Sequence, residues 1–229
     1  MPDLQANLRS VKQRIAQAAG QTGRQSDAIK LVVVTKTVPV ELIEQIIQAG
    51  VTDLGENRVR DALPKIQALK NKYPEVRWHM IGHLQRNKVK QVLDNFDLLQ
   101  AVDSERLARE IDAKAGQQGR VVPVLAEIKT STEETKYGVP IDSAVEFVRI
   151  LTTCQNIRVV GLMTMGPLTI DPEAARPCFR KLKDLSIKIK DLSLANIELA
   201  YLSMGMSNDF EVAIQEGSNM VRVGRAIFT

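Results

Sequence analysis

Two rhythms of apolar residues alternate along this chain. Short β-branched runs recur, and between them lie longer stretches in which apolar positions return every three or four residues. The first rhythm predicts buried strands and the second amphipathic helices. The segment from Leu4 to Ala19 predicts an opening helix, and LVVVTK (Leu31 to Lys36) a strand. Helix is expected from Val40 to Gln48, ending at Gly50, and TDLGE (Thr52 to Glu56) is a short strand before a helix from Arg58 to Lys72. WHMIG (Trp78 to Gly82) is the next strand, with helix from Asn87 to Leu93. The pattern then repeats. LLQAV near residue 100 is strand, and Ser104 caps a helix running to Ala115. VVPVLAEI (Val121 to Ile128), IRVVGLMTM (Ile157 to Met165), IELAYLSM (Ile197 to Met204) and MVRVG (Met220 to Gly224) are strands. Helices from Ile141 to Leu151, from Pro172 to Lys190 and from about Asp209 separate them.

Near-continuous apolar strands joined by helices imply a parallel sheet buried on both faces, with right-handed crossovers. Eight such units imply closure into a (β/α)8 TIM-type barrel, here with an extra N-terminal helix. An open doubly wound sheet is the rival, but no GxGxxG follows the first strand. No linker or low-complexity stretch divides the 229 residues, so the expectation is one domain spanning 1–229.

Composition narrows the function classes. The basic residues behind the net charge of +4 are scattered among nearly as many acids, and only 4% of residues are aromatic, which argues against a nucleic-acid surface. The run RNKVK (Arg86 to Lys90) reads as the exposed start of a helix. No apolar run reaches the length of a membrane span, and the charged N-terminus has no signal-peptide core. Cys154 and Cys178 match no metal or CxxC spacing and suggest reduced thiols. A cytoplasmic location is expected. His79 and His83 stand four apart, but His79 falls within a strand and no acidic partner accompanies the two in sequence, so no metal site is expected.

In a barrel of this kind the chemistry lies where strands end. Lys36 directly follows the first apolar run. Taken alone it reads as a strand-end lysine reaching solvent; at the rim of a desolvated pocket it is a nucleophile towards an aldehyde. LSMGMSND (Leu202 to Asp209) places Ser203, Gly205 and Ser207 after the seventh strand, and VRVGRA places Gly224 after the eighth. Those loops are the recurrent phosphate site of such barrels, although serine and glycine are also ordinary turn formers. Arg222 shares strand parity with Gly224. If that face is interior, the guanidinium needs an acceptor, either a pyridine nitrogen or a carboxylate such as Glu127. Amine, guanidinium and phosphate cup match the aldehyde, ring nitrogen and phosphate of pyridoxal 5′-phosphate.

The motifs then resemble those of a known family. WHMIGHLQRNKVKQVL (Trp78 to Leu93), VVVTKT around Lys36, GENRVR (Gly55 to Arg60), EETKYG (Glu133 to Gly138), GLMTM (Gly161 to Met165), LSMGMSND and VRVGRAIF are together similar to the pyridoxal-phosphate homeostasis protein family, single-domain relatives of the alanine racemase barrel. The resemblance covers essentially the whole chain. It implies that Lys36 binds pyridoxal 5′-phosphate covalently as an internal aldimine, and that Arg222 faces the pyridine nitrogen. It implies a phosphate site of Ser203, Ser207, Gly224 and the Arg225 backbone. Asn57 and His79 would border the ring, and Met163 would approach it. The family motif usually ends IFG, whereas this chain has Ile227-Phe228-Thr229.

An arginine at the ring nitrogen weakens the electron sink that pyridoxal chemistry needs. In the racemase relatives a second, C-terminal domain supplies an opposing tyrosine base, and the chain is expected to lack that domain and to be a monomer. The resulting expectation is a protein without a committed reaction. It holds the cofactor reversibly, exchanges it with free amino acids or apo-enzymes, and affects amino-acid and keto-acid balance. The alternatives are a slow racemase using Lys36 with water or Tyr201, and a phosphosugar barrel enzyme.

Overall fold

The computed structural model describes residues 3–131, 133 and 137–229. The EETKYG match lies partly outside them, at positions 134–136. Among the described residues nine parallel strands form the sheet: β1 (Lys30–Val34), β2 (Asp53–Glu56), β3 (Arg77–Met80), β4 (Leu98–Val102), β5 (Val122–Lys129), β6 (Val139–Pro140), β7 (Ile157–Met163), β8 (Ile197–Ser203) and β9 (Met220–Val223). The order β4-β3-β2-β1-β9-β8-β7-β5 is closed by pairing of β4 with β5, which completes a barrel. The two-residue β6 only extends the edge of β5 beyond the barrel, so the expected seventh and eighth strands are β8 and β9.

The helices are α1 (Leu4–Gly20), α2 (Val40–Gln48), α3 (Val59–Leu69), α4 (Val89–Leu93), α5 (Glu105–Gln117), α6 (Ala144–Thr152), α7 (Arg176–Asp191), α8 (Phe210–Gln215) and α9 (Arg225–Phe228). Their apolar faces pack on the outside of the barrel. α1 shows the principle: Leu4, Leu8, Val11, Ile15 and Ala18 recur at helical spacing and are all buried. It is docked beside the final elements by Arg14, which meets Glu211 at 2.6 Å and lies over the Phe210 ring. Asn7 of α1 donates to the Ile227 carbonyl at 3.0 Å, and Thr229 closes its turn onto the Arg225 carbonyl at 2.6 Å. The threonine that departs from the IFG ending is therefore accommodated within the last turn.

The expected strands all form, but several end earlier than their apolar runs. β1 stops at Val34 and leaves Lys36 in the following turn. β7 stops at Met163, and the next residue, Thr164, donates through its Oγ1 to the Ile128 carbonyl at 2.7 Å. α9 has no counterpart in the sequence reading, since four residues are too few to show helical periodicity. Both cysteines are free and buried, and among the described residues no helix is long and apolar enough to cross a membrane.

Candidate functional site

The C-terminal rim of the barrel gathers Lys36, Ser207 and Gly224 around the seam between β1 and β9. The two strands run in register, with Val32 opposite Arg222. Gly224 lies so close to β1 that a Cβ there would sit 3.0 Å from the Val34 carbonyl oxygen. A larger residue would push the two strand ends apart. The turn carrying Lys36 and the loop carrying Gly224 are therefore neighbours, although 188 residues separate them in sequence.

The Lys36 side chain is exposed, so burial does not supply the desolvation expected of it. Its turn is nevertheless anchored firmly. Thr35 is buried and donates through Oγ1 to Glu56 Oε1 at 2.6 Å. Lys65 of α3 reaches both Glu56 Oε1 at 2.8 Å and the Thr35 carbonyl at 2.6 Å. Glu56 itself is fully buried, and its second oxygen, Oε2, has no hydrogen-bond partner. The sequence reading missed Glu56 and Lys65. The available signal was an acid at the last position of an apolar strand, where burial demands a partner.

Across the seam, Ser207 lies where two backbone amides converge. The N–H groups of Gly224 and Ala226 both point to its Oγ, each at 3.3 Å. These are long bonds to a neutral acceptor, and an anionic oxygen would take both donors more strongly. Gly205, at φ +95°, shapes the same loop; a Cβ there would fall 2.6 Å from that of Ala213. Asp209 braces the loop by accepting from the Met206 amide at 2.6 Å, and burial raises its carboxyl above the usual range. Arg225 is exposed.

Arg222 is buried inside the barrel, as strand parity allows. Its Nη1 donates to Ser203 Oγ at 2.6 Å and its Nη2 to the Thr164 carbonyl at 2.8 Å. Burial pulls the guanidinium down to about 10, opposed by the charges of Glu127 and Asp209. The weighed alternative, a direct ion pair with Glu127, is not formed among the described residues. Glu127 stays buried with Oε2 unpaired, and burial, reinforced by Asp103 and opposed by Arg222, raises it to about 7. Met163 is aligned with Glu127 on one side and Ser203 on the other, and belongs to the apolar interior with Val32 and Leu125.

Two of the expected residues are placed differently from the rest. Ser203 Oγ lies in the interior, donating to Gln100 Oε1 at 2.6 Å, rather than with the convergent amides at Ser207. His79 is lower still. Its Nδ1 lies 2.8 Å from Gln100 Nε2 and its Nε2 lies 2.9 Å from Asp53 Oδ1, at the start of β2. Asn57 borders the rim beside Gly82, where any Cβ would strike the Asn57 backbone. The absence of acidic partners for the histidines is corrected: Asp53 serves His79, and His83 Nδ1 lies 2.8 Å from Asp103 Oδ2. Both acids are distant in sequence and arrive through neighbouring strands. The histidines thus part company, one inward and one at the surface, where His83 stacks on Tyr137 with centroids 4.2 Å apart.

Known proteins share this fold. The family described as alanine racemase, N-terminal domain, matches residues 3–229. A protein of Aquifex aeolicus named pyridoxal phosphate homeostasis protein is 41% identical over 221 residues, 96% of this chain and 95% of that one. PipY of Synechococcus elongatus, solved with pyridoxal phosphate bound, superposes with a TM-score of 0.82 at 29% identity, covering 94% of this chain and 100% of that one. An alanine racemase of Clostridium difficile shares the fold at 18% identity, with a TM-score of 0.77; the match covers 99% of this chain and 56% of the racemase. The chain belongs to the pyridoxal phosphate homeostasis protein family, within the barrels of the alanine racemase N-terminal domain.

Proposed function

We propose that this protein binds pyridoxal 5′-phosphate at the β1–β9 rim and takes part in intracellular homeostasis of that cofactor, and with it in amino-acid and keto-acid balance. The observation that carries the reading is the seam itself. It brings an exposed lysine amine, a buried guanidinium and two convergent amide donors to one end of one barrel. PipY binds the same cofactor on the same fold.

In this reading Lys36, held in place by the Thr35–Glu56–Lys65 anchor, would hold the cofactor through its aldehyde. The Gly224 and Ala226 amides and the Ser207 hydroxyl take the phosphate, with the Arg225 backbone beside them. Arg222 would face the ring nitrogen, and Asn57 and Met163 would border the ring. The cofactor would supply an electron-withdrawing ring, and a guanidinium at its nitrogen would disfavour protonation there and keep the withdrawal weak. His79 stands behind Gln100 and supports the pocket from below.

The chain works as a single cofactor-binding unit, as a cytoplasmic monomer that exchanges its cofactor with amino acids and apo-enzymes rather than running a committed reaction. The racemase alternative needs a base opposite Lys36. Tyr201, its candidate, lines the N-terminal mouth of the barrel with Lys30 and Asp53, on the far side of the Gln100 layer. An absorbance spectrum of purified protein, followed by borohydride reduction and peptide mass analysis, tests the proposal. A yellow band that shifts on reduction, with the added mass on the Lys36 peptide and lost in Lys36→Ala, is the expected result. A colourless protein that takes up no added pyridoxal phosphate overturns it.

A further inference from the structure

The end of the barrel opposite Lys36 is open. A cavity of about 150 Å³ enters the N-terminal mouth, with His79 on its wall and a ring of charged groups around it. Conserved chemistry is expected at the other face, and residues at this one ordinarily serve stability. An apolar plug would do that best. This mouth instead carries Lys30, Asp53, Arg77, Asp97 and Arg158, with the half-buried Tyr201 beside them.

These groups are only partly neutralised within the protein. Lys30 and Asp53 satisfy each other, with Nζ 3.2 Å from Oδ1, and Asp53 also takes His79 and Thr52. Asp97 accepts from the Trp78 amide at 2.7 Å. The Arg77 and Arg158 guanidinium groups form no ion pair or hydrogen bond among the described residues, and neither does the Tyr201 hydroxyl. Three cations thus face two anions, and one anion is already engaged by a lysine. The net surplus is one positive charge, and two guanidinium forks and a phenol stand without a side-chain partner around one small opening. Guanidinium forks match the planar or tetrahedral oxygens of carboxylates and phosphates, while Leu98, Val160 and Met220 give the interior an apolar wall for a short carbon skeleton.

We propose that this mouth is a binding site for a small oxyanion carrying two negative charges, gripped by Arg77 and Arg158 and capped by the Tyr201 hydroxyl. It is separate from the cofactor rim and does not depend on it. The cavity admits a dicarboxylate of a few carbons or a phosphate, and excludes anything as large as a nucleotide. Its wall residue, His79, is hydrogen-bonded through Gln100 and Ser203 to Arg222, so occupancy is felt within the barrel interior.

The chain has two histidines, which makes the test direct. The imidazole resonances of the whole protein are followed by nitrogen-15 NMR during titration with malonate and, separately, inorganic phosphate. The expected result is a saturable shift of His79, with His83 unmoved. Replacing both Arg77→Gln and Arg158→Gln weakens binding by about tenfold or more, and Tyr201→Phe weakens it less, with the ligand-free His79 signal unchanged in both. Tighter binding of malonate identifies a dicarboxylate ligand; tighter binding of phosphate identifies a phosphorylated one. No shift of His79 by either probe, or a shift that survives the double arginine replacement, overturns the proposal. A shift lost when Ser207 is altered but kept without the arginines assigns the ion to the cofactor rim instead, and equally overturns it.

Discussion

Arg222 donates to Ser203 at 2.6 Å, and that one bond sets the direction of every hydrogen bond beneath it. A guanidinium only donates, so the serine must pass its own proton onward, to Gln100 Oε1. The glutamine amide then faces His79 with its N–H₂ group, so Nδ1 accepts and the ring proton sits on Nε2, aimed at Asp53. A buried cation at one end of the barrel and a carboxylate at the other orient a polar chain through an otherwise apolar interior.

Ser203→Ala breaks this chain at its second link. It strips Arg222 of one acceptor and leaves Gln100 Oε1 buried without a donor. Urea denaturation should show a loss of about 1–3 kcal/mol, the cost of an unsatisfied buried polar group. A loss no greater than that of an exposed serine would mean that the chain contributes nothing to stability.

Glu127 makes stability fall as pH rises. Its folded value is raised to about 7 against an ordinary 4.5, so between those limits the folded protein holds a proton that the unfolded chain releases. Stability from this group is complete below about 4.5, declines through the window and levels off above about 7, a change of about 3 kcal/mol. Glu127→Gln should flatten that part of the profile in denaturation measured from pH 5 to 8, and should be more stable than the parent at pH 8. An unchanged slope in the variant would remove Glu127 as its source.

Lys65→Met should cost more than a surface charge change, because it leaves Glu56 buried without its cation. The expected loss is about 3–5 kcal/mol, with Glu56→Gln milder and the pair of changes less than additive. Because Lys65 also holds the Thr35 carbonyl, uptake of pyridoxal phosphate measured by absorbance should weaken in the variant even where it remains folded.

Gly161→Ala tests how closely β7 and β8 approach. A Cβ at this position would fall on the Tyr201 carbonyl oxygen, which is backbone and cannot turn aside. The thermal unfolding midpoint should drop sharply, in keeping with a cost of about 3 kcal/mol or more. Gly20→Ala, where nothing lies within 4 Å of the new methyl, is the matched control and should leave the midpoint nearly unchanged.

Much of the rim was legible in the sequence, because its residues follow strands directly. Lys36, Ser207 and Gly224 occupy the loops where a barrel puts its chemistry, and the structure brings those loops together. Ser203 was assigned to the rim by the same logic and His79 by the family resemblance, and both lie deeper. Ser203 is the last residue of β8 and His79 lies within β3, so neither stands on a loop past a strand end. The anchor of Glu56 and Lys65 was invisible, since a lysine within an amphipathic helix looks like any solvated side chain.

The sequence alone determined the alternation of strand and helix. LLQAV is strand over the very residues expected, α2 runs from Val40 to Gln48, and Ser104 caps α5 by accepting from the Leu107 amide. These are local properties, set by side-chain periodicity and by capping within a few residues. Only the tertiary structure decided that β4 pairs with β5 to close the sheet, and that Gln100 meets Ser203 from 103 positions away. It also turned Tyr201 towards the mouth opposite Lys36. Strand parity says which residues share a face. The stagger of a closed barrel sets their height along the axis and their neighbours across the interior, and it arises from all the strand pairings together.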